Sequence, residues 1–355
     1  MKKLLLLLVI VVGSVALWNY AKPDAVKKLS TVISKNEQQT QIIPQDQAKE
    51  YMFVPYWSFT KSIEGNSDAY IYFGVGINNI GIDQQDVGYK NIKKFTQLAP
   101  KNKEKILVVR MLDKNINAAI LKDEALQRKI ASETARLAAQ NDFSAVLLDY
   151  ETSAFGFDST TNSITSFYQL FSQQVKAKGQ KFFVTVYGDT YFRARPYDIK
   201  KISDISDKVF VMAYDFSKSR GNPGPNFPFS GKEIYGYDFA EMIDDFQKDV
   251  DNKKLIIVLG YFGYDWHIDK EGNALASGVP LSTNEIVKEF LTSCEQKNCI
   301  FERSLEGSEP YVKYADSEGV DHVVWFEDEK SVTKKKELLK SKGILETGAW
   351  AYSYF

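Results

Sequence analysis

Asp149 and Glu151 close the run Ala145-Val146-Leu147-Leu148-Asp149-Tyr150-Glu151. The run reads as a buried strand, and side chains alternate along a strand. Leu147, Asp149 and Glu151 therefore share one face, and Val146, Leu148 and Tyr150 share the other. Two carboxylates at the end of an apolar strand are costly unless they are hydrogen-bonded or used chemically. One such use is cleavage of a glycosidic bond, where the leaving oxygen must be protonated near neutral pH. The plain alternative is that the two acids open a solvated loop.

Elements able to position such a pair recur along the chain. Apolar runs fall at 52–57, 69–75, 106–111, 145–151, 182–187, 209–214, 255–261 and 347–351. Helical periodicity lies between several of them, at 124–139, 164–177, 239–250 and 331–342. Buried strands alternating with helices over about 300 residues predict an α/β fold, a (β/α)8 TIM barrel. A doubly wound open sheet is the alternative, without the glycine-rich turn after an early strand that would favour it. The rhythm breaks between Trp266 and Asp328. There Ser282 and Glu285 have capping-box spacing. Segments 311–315 and 322–326 read as a hairpin around Glu318-Gly319. This predicts a small α+β insertion, about 267–328, between strands 7 and 8 of a barrel spanning 50–355. Catalytic groups of such barrels sit at the C-terminal ends of the strands, where Asp149 and Glu151 fall.

Composition narrows the function classes. The 355 residues carry a formal net charge of -1, so nothing favours a nucleic acid partner or an anionic surface. Aromatic residues make up 14%, enough for a large core and for faces that stack on sugars. Two histidines and two cysteines give no metal-cluster spacing, and no cofactor or metal is expected. Cys294 and Cys299 could form a small local disulfide in an oxidising compartment, with free thiols as the alternative. The Lys334-Lys335-Lys336 run reads as a solvated helix face, and His267 and His322 receive no role.

Lys2-Lys3 precede an apolar run over 4–18, the pattern of an export signal. The run is short for a membrane span. A cleaved signal peptide and an uncleaved N-terminal anchor both remain open for 1–21, and a buried core helix is the alternative to export. Residues 22–49 read as a polar linker with one short helix near 25–34. The body is thus expected outside the cytoplasm, secreted or attached to the membrane by the N-terminal segment, and as a monomer.

Over residues 50–355 the chain resembles glycoside hydrolase family 18, the chitinase-like barrels, closest in style to bacterial cell-wall and spore-type members. The family's fourth strand ends in Asp-Gly-x-Asp-x-Asp-x-Glu. Asp149 and Glu151 match its last Asp and its Glu, and Leu147 replaces its middle Asp. Met212-Ala213-Tyr214-Asp215 is similar to the family's Met-x-Tyr-Asp, and Gly224-Pro225-Asn226 follows at a similar distance. Val258-Leu259-Gly260-Tyr261-Phe262-Gly263-Tyr264 is similar to Leu-Gly-x-x-x-Tyr-Gly. Val324-Trp325-Phe326-Glu327-Asp328 with Ser331 resembles the stretch before the last helix, and Gly348-Ala349-Trp350 the last strand.

The resemblance implies a retaining, substrate-assisted cleavage of β-linked N-acetylglucosamine glycans such as chitin or peptidoglycan. Glu151 would be the general acid and then the base. Asp149 would bond the acetamido N–H, and Tyr214 and Asp215 would position that group. Trp350 would be the floor under the distorted sugar. Met212 shares a strand face with Tyr214, whereas parity turns Asp215 away unless the strand ends or twists there. Trp57, Tyr187 and Trp266 lie at strand ends and could stack on sugars or pack in the core or rim. With Leu147 in the motif, the expectation is retained but reduced or tuned activity. The alternatives are a lectin-like barrel without turnover and a scaffold for protein partners.

Overall fold

The computed structural model describes residues 48–354 except 60, 153–155, 157 and 293–298. The expected signal or anchor, the short helix near 25–34 and nearly all of the linker lie outside the described residues, as does Cys294. Among the described residues no helix is long and apolar enough to cross a membrane.

The strands are β1 (Lys49–Pro55), β2 (Ala69–Asn78), β3 (Gly81–Ile82), β4 (Glu104–Met111), β5 (Ala145–Tyr150), β6 (Lys181–Tyr187), β7 (Lys208–Ala213) and β8 (Leu255–Gly260). After them come β9 (Phe262–His267), β10 (Val279–Ser282), β11 (Ile300–Arg303), β12 (Pro310–Ala315), β13 (Asp321–Phe326) and β14 (Glu346–Trp350). Parallel pairing runs β1-β2-β4-β5-β6-β7-β8-β14, and β14 closes back onto β1. That is the eight-stranded barrel, with helices between strands. Strands buried on both faces read as nearly continuous apolar runs. Thus β5 and β8 are buried at every residue.

Parity sorts each strand into two layers. Phe53, Ile71, Val108, Leu147, Phe183 and Phe210 fill the barrel interior. Their sequence neighbours, such as Val109, Leu148 and Val184, pack in the outer cluster with helix residues such as Ile130, Phe167 and Phe171. The helices start where the sequence supplies caps. Asp123, Asp238 and Asp328 each accept from a backbone N–H in the first turn.

Two boundaries differ from expectation. β1 begins at Lys49 and ends at Pro55, and the chain turns there with Ser58 Oγ bonding the Pro55 carbonyl at 2.8 Å. Trp57 consequently lies in a turn, not in the strand. The insertion begins at Phe262 rather than near 267, because Gly263 pairs antiparallel with Phe326 directly after β8 ends. A Cβ at Gly263 would lie 2.0 Å from the Trp325 carbonyl oxygen, so only glycine permits this approach. The insertion is a five-stranded sheet, β10-β9-β13-β12-β11, and the expected hairpin is β12–β13. The Ser282–Glu285 capping box is formed.

The lysine run departs further. In the helix Glu329–Ser341 the buried residues are Ser331, Val332, Lys335 and Leu339. Lys335 is fully buried and ion-paired to Glu309 (2.8 Å) and Glu327. Of the run expected in solvent, its middle member thus lies in the core.

Candidate active site

Asp149 points into the barrel mouth above Leu147, as strand parity requires, and is 3% exposed. Leu147 pairs in register with Val108 and Phe183 and is fully buried. It offers Asp149 no proton or hydrogen bond. Thr185, on β6, supplies one instead: its hydroxyl donates to Asp149 Oδ1 at 2.5 Å. Glu151 follows the end of β5, and its backbone N–H donates to the Met111 carbonyl at 2.9 Å. Its carboxylate Oε2 accepts from the Tyr187 hydroxyl at 2.8 Å.

Burial, and then the charge of Glu151, push the Asp149 carboxyl up to about 7, against the opposing pull of Thr185 and Arg110. Burial also raises Glu151. The Tyr187 hydrogen bond opposes that rise and the charge of Asp215 adds to it. A carboxyl raised this way can hold a proton near neutral pH, as a general acid must.

β7 ends at Ala213, and Asp215 has φ of 57°, in the left-handed region. This break in the strand lets Tyr214 and Asp215 both reach the mouth. Asn226 fixes the turn. Its side-chain oxygen accepts from the Asp215 N–H at 2.8 Å, and its carbonyl accepts from the Phe216 N–H at 2.8 Å. Its amide donates to the Gly260 and Phe262 carbonyls. The Tyr264 hydroxyl donates to Asp215 Oδ1 at 2.7 Å, and burial raises the Asp215 pKa.

Trp350, at the end of β14, lies edge-on to Phe73 (ring centroids 4.7 Å) and nearly parallel to Tyr214 (6.3 Å). A cleft of about 780 Å³ lies over these groups, lined by Asp149, Glu151, Met212, Tyr214, Asp215 and Trp350. Trp57, half exposed, stands on its rim. Tyr187 lies in an adjoining lobe of about 310 Å³ that shares Glu151, Met212, Tyr214 and Asp215 with the cleft. The Arg195 guanidinium covers one face of the Tyr187 ring at 3.8 Å. With its hydroxyl on Glu151, Tyr187 is built as a partner of the acid rather than as an open stacking face. Trp266 is buried, donates to the Ser219 carbonyl and presents no face to a sugar. Cys299 is held in a disulfide. Among the described residues no cluster of His, Cys, Asp or Glu could hold a metal.

Sequence reasoning overlooked Thr185 and Arg110, and the roles of Tyr264 and Asn226. Parity could have found two of them. Thr185 shares a face with Phe183 and Tyr187, and Arg110 shares one with Val108. Arg110 pairs in register with Asp149, while its side chain turns to Asp86 (2.8 Å).

Fold and site together define a parallel α/β barrel with an acid pair over an aromatic floor at the C-terminal ends of its strands. The chain belongs to the glycosyl hydrolases family 18, whose model matches residues 31–354. It is similar to the cortical fragment-lytic enzyme of Bacillus anthracis, 24% identical over 247 residues, covering 66% of this chain and 52% of that relative. The chain spans about half or less of the length of the sporulation and cortex-lytic relatives it matches first. Its fold is similar to that of the Bacillus cereus spore cortex-lytic enzyme SleL, with TM-score 0.68, 19% identity and coverage of 87% of this chain and 71% of that one. It is similar also to that of a Chromobacterium violaceum chitinase, with TM-score 0.67, 19% identity and coverage of 86% and 95%.

Proposed function

We propose that the chain is an exported, retaining hydrolase of β-linked N-acetylglucosamine glycans, chitin or peptidoglycan, with Glu151 as acid and then base. The observation that carries this reading is the Asp149–Glu151 pair, raised in pKa and opening on a cleft floored by Trp350. Glu151 gives its proton to the glycosidic oxygen while the acetamido oxygen of the same sugar attacks the anomeric carbon. An oxazolinium forms and the leaving sugar departs protonated. Asp149 accepts the acetamido N–H and offsets the developing positive charge. Tyr214 and Asp215 orient that group, and the Trp350 ring supports the distorted sugar. Water then attacks the anomeric carbon, and Glu151 recovers the proton.

The basic N-terminus and the apolar run after it support export, with the segment either cleaved or kept as an anchor. A monomer bearing one such cleft is sufficient for this chemistry. The lectin-like alternative draws on Leu147. Against it, Thr185 gives Asp149 the hydrogen bond that the motif's middle Asp would otherwise supply. The test is Glu151→Gln, assayed on chitin oligomers and on peptidoglycan. Loss of general acid catalysis lowers kcat by about 10²- to 10⁴-fold. Undiminished hydrolysis would remove Glu151 from its role, and tight glycan binding without products by the native protein would favour the lectin-like barrel.

A further inference from the structure

Charge is distributed unevenly on the two sides of Glu151. The cleft over Trp350 has no Lys or Arg in its lining among the described residues. The lobe beyond Glu151 has four, Lys114, Arg195, Lys218 and Arg220. Arg195 is committed, because it grips Asp189 with two hydrogen bonds, at 2.5 and 2.9 Å. Asp189 also takes Arg193, at 2.6 Å. Two guanidinium groups therefore share that one carboxylate. Lys114, Lys218 and Arg220 have no ion pair among the described residues, although each lines the concavity. The other carboxylates facing the lobe are Glu151 and Asp215. Both are shifted toward the neutral form by burial.

The acid stands between the two sugars of the bond it protonates. If the sugar that supplies the acetamido group lies over Trp350, the leaving sugar lies in the lobe. We propose that Lys218 and Arg220, with Lys114, form a subsite that reads a carboxylate on the leaving sugar. The preferred substrate class is then an acidic N-acetylated glycan, whose sugars carry lactyl ether carboxylates or carboxylate-bearing peptides, rather than neutral chitin. This inference rests on the hydrolase reading above. Burial lowers the pKa of the Lys218 ammonium, and an arriving anion would offset that cost. Charge-assisted hydrogen bonds of this kind are the strong ones.

The test measures kcat/KM on three forms of peptidoglycan glycan strand: peptide-free, peptide-free with its carboxylates amidated, and peptide-bearing. Chitin oligomers are assayed alongside. The native protein should favour the free carboxylate over the amidated strand by about tenfold or more, the factor that about 1.4 kcal/mol of one charged contact gives. The preference should shrink as salt is raised. Lys218→Gln with Arg220→Gln should lower the free-to-amidated ratio about tenfold, and Lys218→Glu should lower it further. Lys218 and Arg220 are exposed as whole residues, although the Lys218 ammonium is partly desolvated, and the ratio is insensitive to general losses of activity. A preference confined to peptide-bearing strands would assign the carboxylate to the peptide; one already present on peptide-free strands would assign it to the sugar. Equal turnover of all three forms, or a preference for carboxylate-bearing strands that the Lys218 and Arg220 variants leave unmoved, overturns the subsite while leaving the hydrolase reading intact. Hydrolysis undiminished in Glu151→Gln removes Glu151 as the acid, and with it the placement of the leaving sugar on which the subsite rests.

Discussion

Among the described residues, two carboxylate pairs lie in or at the edge of the core, and they are held by opposite means. Glu309 and Glu327 share the ammonium of Lys335, and all three side chains are fully buried. Glu309 also accepts the N–H groups of Asn226 (2.5 Å) and Phe227 (2.9 Å). Asp149 and Glu151 have no ion-paired cation among the described residues. They hold the hydroxyls of Thr185 and Tyr187, while Arg110 is turned to Asp86 and Arg195 to Asp189. Burial raises a carboxyl in each pair, Glu309 to about 8 and Asp149 to about 7. A raised pKa therefore does not distinguish a site of chemistry from a structural knot. What distinguishes them is that one pair is closed around its own counter-charge and the other faces an open cleft. The closed pair still serves the site from a distance, because Asn226, which Glu309 holds, fixes the turn carrying Asp215.

The contrast is broken most severely at Lys335. Lys335→Ala leaves two buried carboxylates without their cation and should cost about 3–5 kcal/mol, read as a lower urea midpoint. Turnover by the fraction that stays folded should keep its pH profile, since Lys335 touches neither Asp149 nor Glu151. A shifted profile would mean that the loss of Lys335 reaches Asp215 through Glu309 and Asn226.

Asp149→Asn comes next and has the opposite sign. The folded pKa of Asp149, about 7, lies above its ordinary 3.8. Its contribution to stability is therefore fully present below about pH 4 and is lost as the pH rises through about 7. Asn does not titrate, so the variant should gain on the native protein across that window. The ceiling is about 4 kcal/mol at 1.36 kcal/mol per pKa unit. Activity should fall at the same time, the usual trade at a strained site. Urea denaturation at several pH values measures the gain, and a gain that is flat with pH would show that Asp149 is not held against its preferred charge.

How much of this was legible in the sequence depended on how local the signal was. The eight barrel strands are readable because burial on both faces leaves long apolar runs, and their order follows from the alternation with helices. The parity of Leu147, Asp149 and Glu151 is equally local. Lys335 was misread for the complementary reason. A lysine among lysines looks solvated, and the two acids that neutralise it arrive from the insertion and from the end of β13. The left-handed turn at Asp215 was likewise hidden. Strand parity predicts the wrong face there, and only the Asn226 hydrogen bonds, eleven residues away in sequence, fix the backbone. Tyr187 stays open between a stacking face and core or rim packing in the sequence, because nothing nearby in its own strand announces Arg195 above it.

Thr185 is the subtlest of these, and the last prediction concerns it. The family motif places a carboxylate where this chain has Leu147, and that leucine is packed between Val108 and Phe183 in the barrel interior. The hydroxyl of Thr185 reaches Asp149 from the next strand, and it lowers a pKa that burial raises. Thr185→Ala should therefore push Asp149 further up and move the corresponding limb of the pH–rate profile to higher pH. It should also lower kcat/KM near neutrality by about tenfold, about 1.4 kcal/mol for one hydrogen bond to a charged group. Thr185→Ser keeps the donor and should keep the profile. If Thr185 does the work of the missing acid, Leu147→Asp added to Thr185→Ala should recover part of the loss, despite the stability cost of a second buried carboxyl. A Thr185→Ala profile that coincides with the native one would mean that Asp149 is positioned by its burial alone, and that the hydroxyl is a bystander.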